Sequence, residues 1–201
     1  ELLWVFIPTI AAISLTPGMC MTLAFTLGLS QGYRQTLWMM WGELAGVATV
    51  VSTCVLLLAW IQSLSALYFT LLGLAGGSYL LWIAYRLWTQ PAQFDRGEAQ
   101  SRLTPWALLT LGYVTAVMNP KGWGFMIALL PGFMSVDYST PQQLAAFLGV
   151  MLPSEFLSMT LYATGGSGLR RFLTTDQHLA NLNKVAAALM VLVALLMLVN
   201  L

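Results

Sequence analysis

The chain has 201 residues, of which 59% are hydrophobic and only 7% charged, with a formal net charge of +1 at pH 7. A water-soluble domain carries about a quarter charged residues, so there is too little polar material here to cover a wet surface, and the mean hydropathy of +0.79 agrees. Composition excludes an ordinary soluble domain and, with no basic stripe to neutralise phosphates, a nucleic-acid partner; it indicates an integral membrane protein in contact with lipid.

Apolar segments follow one another at roughly 2–29, 36–60, 64–88, 104–133, 142–167 and 180–201. Each approaches or exceeds the ~20 residues that cross a bilayer as a helix. The expected fold is all-α: a polytopic membrane protein of six transmembrane helices forming a single domain over 1–201. The first segment lacks a basic leader and a small-residue cleavage site, so it reads as a spanning helix rather than a signal peptide. It is interrupted at Thr16-Pro17-Gly18. Pro17 has no N–H to donate and its ring meets the carbonyl four residues back, while Gly18 adds backbone freedom that a helix must suppress. Cys20 follows directly.

The second segment carries Glu43 between Gly42 and Gly46, and the third carries Gly73 and Gly77. With Gly28/Gly32, these glycines four apart allow helices to approach closely. Residues 89–103 gather charge, proline and glycine and read as a surface loop joining two halves, 1–88 and 104–201. The fourth segment is interrupted at Asn119-Pro120-Lys121-Gly122, with Trp123 beside the break. The fifth carries Pro153 and Glu155; the sixth is uniformly apolar.

The two halves share a pattern. Each opens with a long segment broken by proline and glycine, and each then places an acid in the next segment. Three spans is an odd number, so the halves insert with opposite orientations, as two inverted three-helix repeats with first and fourth helices broken. Broken helices at matching positions of inverted halves mark transporter binding sites. A packing kink is the plainer reading of Pro17-Gly18 alone; the match with Pro120 favours function. Freed backbone at membrane depth is tolerated against protein or a wet cavity, and the half-helix after each break turns unpaired N–H groups toward it, a seat for a substrate carboxylate. Candidate substrate-binding residues are therefore Thr16, Pro17, Gly18, Cys20, Asn119, Pro120, Lys121 and Trp123.

Ionisable groups inside spans are unfavourable by ~2.5–3.5 kcal/mol even on translocon scales, so they face a cavity or one another. Burial disfavours a charged carboxyl, whereas a nearby ammonium favours it. Glu43 and Glu155 are candidate proton-coupling groups, with Glu43 the first choice and Lys121 as counter-charge or carboxylate clamp. A structural Lys–Glu tie between halves is the alternative. Cys20 and Cys54 sit in apolar segments as buried thiols. The sole histidine, His178, falls in a loop, and "GGSG" at 165–168 lacks the context of a phosphate loop. No metal-ligand cluster and no nucleophile–base pair is visible, so neither a cofactor nor an enzyme is expected.

Arginines fall in the first, third and fifth loops (Arg34; Arg86, Arg96 and Arg102; Arg170 and Arg171), whereas the second and fourth carry no lysine or arginine. The positive-inside rule then makes the odd loops cytoplasmic and both termini periplasmic. Trp4, Trp38, Trp41, Trp60, Trp88 and Trp106 lie near segment ends, at headgroup depth.

At "TPG" (16–18), "GYRQTLWMMWGELAG" (32–46), "GGSYLLWIAY" (76–85) and "NPKGWGFMIALLPGF" (119–133) the chain resembles the lysine exporter (LysE/RhtB) family of bacterial inner-membrane amino-acid exporters. The resemblance implies proton-driven export of amino acids or similar small metabolites through a six-span protein and allows a homodimer. The family usually reads Pro-Gly-Pro-Asn where this chain has Pro17-Gly18-Met19-Cys20. Many members also place an acid at the position of Val47; Glu43 is one turn earlier, on the same face. Competing classes are a transmembrane thiol–disulfide carrier through Cys20, which needs a second cysteine in the fourth segment; a metal-ion exporter, which wants more ligands; and a channel or scaffold.

Overall fold

The computed structural model describes residues 3–16, 18–64, 66–89, 103–135 and 137–165, with scattered helical positions between 181 and 199. The described residues form helices and the turns between them, with no strand. In chain order these are α1 (Leu3–Leu15), α2 (Met19–Ser30), α3 (Tyr33–Leu64), α4 (Ala66–Thr89), α5 (Pro105–Val117), α6 (Pro120–Leu129), a 3-10 turn (Leu130–Gly132) and α7 (Thr140–Thr164). These elements follow the first five predicted segments closely. Most of the predicted loop 89–103 and half of the sixth segment, with His178 before it, lie outside the described residues.

Both expected interruptions are present. The first segment is two helices, Trp4–Leu15 and Met19–Gly28, meeting at 55°. The fourth is α5 and α6, separated by Met118 and Asn119. The second and fifth segments run unbroken: Tyr33–Ile61 and Thr140–Thr164 are each long and apolar enough to cross a bilayer. Pro153 is carried inside α7 without ending it.

Local chemistry sets the helix starts. Thr104 caps α5 by accepting from the Ala107 N–H at 3.3 Å, with Pro105 in the first turn, where its missing N–H is harmless. Ser139 and Gln142 form a reciprocal capping box at the start of α7. Gly18 starts α2 with no side-chain cap.

Small residues bring the helices together. A Cβ on Gly42 would strike the Leu109 carbonyl, one on Gly112 the Met39 carbonyl and the Glu43 N–H, and one on Gly46 the Ala116 methyl and Tyr113 backbone. The backbones of α3 and α5 therefore touch. Gly28 meets the Ala163 backbone in the same way, fixing α2 to α7, and Gly76 packs α4 on Ala128 of α6. Gly32 departs from the expected role. A Cβ there would meet nothing within 4 Å, and its φ is +82°, so it makes the α2–α3 turn in a conformation suited to glycine.

Two apolar clusters form the interior. One joins Phe6 and Ile10 of α1, Val50 to Leu58 of α3, α4, α6, and Phe147 and Met151 of α7. The other joins α2, Met39 to Leu44 of α3, Leu108 of α5, and Met159 to Ala163 of α7. Glu43 and Glu155 sit on α3 and α7 around the junction of the two. The ring of Phe6 lies 4.8 Å from Phe133, so the start of α1 and the turn after α6 share one end of the bundle. At the other end the Gln31 Oε1 accepts from the Leu103 N–H at 3.0 Å, joining the α2–α3 turn to the start of the fourth segment. The indoles of Trp4, Trp38, Trp41, Trp60, Trp88 and Trp106 are exposed on the outer surface, as a lipid-facing belt requires.

Candidate functional site

A cavity of about 100 Å³ opens where the two breaks meet. Its wall includes Ser14, Thr16, Gly18 and Cys20 from the first break, Asn119 and Gly122 from the second, Glu43 and Val47 from α3, and Glu155 from α7. Six candidate residues (Thr16, Gly18, Cys20, Glu43, Asn119 and Glu155) thus converge on one space, although the chain separates the two breaks by about a hundred residues. Val47 and Glu43 share the wall, as their one-turn spacing requires. The remainder is apolar, from residues such as Met21, Phe125, Met126 and Met151.

The other candidates fall elsewhere. Pro17 lies outside the described residues. Pro120 and Lys121 form the first turn of α6, with side chains outside the described set. Trp123 is not part of the cavity wall. Its indole N–H donates to the Val117 carbonyl at 2.7 Å, across the second break.

That bond has a counterpart at the first break that the sequence did not reveal. The Tyr162 hydroxyl donates to the Leu15 carbonyl at 2.8 Å. Leu15 and Val117 end α1 and α5, where the carbonyls of the last turn lose their intrahelical donors. An aromatic donor reaches each, one from α6 and one from α7. Thr16 also turns inward, its hydroxyl donating to the Ala12 carbonyl at 2.8 Å.

The two acids are held differently. Ser14 Oγ donates to Glu155 Oε1 at 2.8 Å, tying α7 to α1 just before the break. Glu43 is 1% exposed and its Oε2 has no hydrogen-bond partner. The Cys20 thiol lies within hydrogen-bonding reach of the Glu43 carboxyl and the Asn119 amide, and the charges of Glu43 and Glu155 act on one another. The site therefore places two interacting carboxyls beside the uncapped start of α2, whose first N–H groups have no intrahelical acceptor. Such an arrangement can bind a proton, an ammonium group or both charges of a zwitterion.

Both cysteines are free thiols; Cys54 belongs to the apolar interior rather than to the cavity wall. Among the described residues, no group of three histidine, cysteine, aspartate or glutamate side chains is placed to hold a metal ion.

An all-helical, apolar protein whose broken helices enclose a carboxyl-lined cavity has the construction of a membrane transporter. The LysE type translocator family matches residues 11–201, and the chain belongs to that family; it is a transporter and not an enzyme. It is 27% identical over 201 aligned residues, 96% of this chain and 93% of that protein, to a homoserine/homoserine lactone efflux protein of Salmonella typhimurium. The homoserine/homoserine lactone efflux protein of Salmonella typhi shows the same identity and coverage. An uncharacterized membrane protein of Vibrio cholerae is 25% identical over 180 residues, 90% of this chain and 88% of that one. No solved structure matches the chain.

Proposed function

We propose that this protein is a proton-coupled secondary transporter that exports amino acids or similar small metabolites across the bacterial inner membrane. The observation that carries the reading is the convergence of both helix breaks and both intramembrane acids on one cavity. A structural kink needs no such meeting. The efflux relatives support the substrate class: homoserine is a small amino acid with an uncharged side chain, and its lactone keeps the amino group while lacking a free carboxylate. Proton coupling rests on Glu43, a buried carboxyl that can exchange a proton as access alternates.

In this reading the two halves are inverted repeats. The broken pair α1/α2 packs against α7, and α5/α6 packs against α3, so each half lends its broken helix to the other half's acid-bearing helix. Rocking of one half against the other would open the cavity to each side in turn. The odd loops are cytoplasmic and both termini periplasmic. Thr16, Gly18, Cys20 and Asn119 line the substrate's path.

The test is uptake and counterflow of labelled homoserine by purified protein in liposomes, with and without a pH gradient. Gradient-stimulated flux in the wild type, reduced at least tenfold in Glu43→Gln, is expected. Equal flux with and without the gradient would remove proton coupling, and no flux of any small amino acid would remove the exporter reading.

A further inference from the structure

The difference between the two acids bears on how substrate and proton are exchanged. Glu155 already holds the Ser14 hydroxyl, whereas Glu43 presents a fully buried oxygen with no donor. A carboxylate only accepts hydrogen bonds, so whatever completes it must bring an N–H or O–H. The nearby hydroxyls are committed elsewhere, Thr16 to Ala12 and Ser14 to Glu155, and the thiol of Cys20 is a weak donor. A ligand carboxylate would meet like charge from two acids, whereas an ammonium would form a charge-assisted hydrogen bond.

We propose that Glu43 is the seat of the substrate's ammonium group, and that the coupling proton occupies the same carboxyl in the other half of the cycle. This rests on the exporter reading above. The ligand class follows from the wall. The site takes a primary amine with a small uncharged side chain lying against Met21, Phe125, Met126 and Met151. A cavity of roughly 150 Å³ admits benzene, so about 100 Å³ suits a molecule of few heavy atoms. A substrate carboxylate is not required for binding at this seat.

The exchange balances. The ionised carboxyl binds the ammonium from inside, releases it outside, takes one proton there, returns neutral and gives that proton up inside, which restores the ionised form. A buried ionised carboxylate with neither partner is strongly disfavoured, so the empty ionised form does not cross and the two fluxes stay linked. One proton enters per amine leaving. Export of a zwitterion therefore moves one net positive charge inward, whereas export of a simple ammonium moves none. The titratable groups facing Glu43 are Cys20 from α2 and Glu155 from α7. The described side chains of α5 and α6 turn none toward it, and that of Lys121 is outside the described set.

The experiment uses the full chain in liposomes exchanging labelled homoserine, with two half-molecules as competitors. 3-Aminopropan-1-ol keeps the ammonium and lacks the carboxylate; 4-hydroxybutanoate keeps the carboxylate and lacks the ammonium. The expected result is competition by the amine within about tenfold of homoserine, and by the hydroxy acid at least a hundredfold weaker. Below the pH at which Glu43 takes its proton, amine competition should weaken by up to tenfold per pH unit. A membrane potential should drive homoserine flux but leave aminopropanol flux unchanged. Homoserine exchange with equal or better competition by the hydroxy acid would overturn the ammonium seat while leaving the exporter reading intact. Absence of exchange for every amino compound would overturn both. The competitor series needs no variant, so a poorly folding Glu43→Gln does not blunt it.

Discussion

At the scale of single residues, the breaks are maintained by donors from outside the broken helices. The Tyr162 hydroxyl serves the Leu15 carbonyl and the Trp123 indole serves that of Val117. A buried carbonyl that loses its donor is penalised by ~1–3 kcal/mol. Tyr162→Phe, which keeps the ring in place, should therefore lower stability by that amount, read as a lower unfolding midpoint in detergent; an unchanged midpoint would show that the hydroxyl is dispensable. Ser14→Ala removes the described donor of Glu155 and should reduce transport several-fold while leaving assembly intact, measured as flux per mole of reconstituted protein. The acids were legible in the sequence because an ionisable group in an apolar run needs a partner or a cavity wherever the fold puts it. Ser14 and Tyr162 were not. Each is an ordinary residue locally, and its role comes from a partner more than 140 positions away.

Helix pairs are set by backbone approach rather than by interlocking large side chains. Gly112 leaves room for the Met39 carbonyl and the Glu43 backbone nitrogen where a Cβ would stand. Gly112→Val should force α3 from α5 and move Glu43 with it, so folding yield should collapse. A Cβ on Gly149 of α7 would meet nothing within 4 Å; Gly149→Ala should be neutral or stabilising by a few tenths to about 1 kcal/mol, since alanine is the better helix former. Fluorescence-detected size exclusion compares the two, and similar profiles would contradict the assigned packing. Proline and glycine fixed the location of both breaks from sequence alone. Glycine spacing revealed that helices approach closely but not which ones, because small residues leave a partner's identity to the tertiary fold. Gly32 shows the limit: its spacing from Gly28 suggests packing, yet its positive φ serves a turn.

For the whole molecule, the contacts group the ends as the arginine distribution does. Phe6 and Phe133 lie together at one end, Gln31 and Leu103 at the other. Grouping by arginine was readable because loop charge is a sequence property; the meeting of the two breaks was suggested only by the matching pattern of the two halves, since no local feature at either break names its partner. Cysteines placed at Asp137 and at Arg34 should label with a membrane-impermeant maleimide from the periplasm and the cytoplasm, respectively. Labelling of both from one side would contradict the topology.

The central claim is that substrate passes through the space where the breaks meet, and Cys20 already stands in its wall. In a Cys54→Ala background, the rate at which a small mercurial modifies Cys20 should fall several-fold with saturating homoserine. A cysteine replacing Asn119, in a chain lacking the others, should be protected at the same substrate concentration. Homoserine transport with neither site protected would contradict the account.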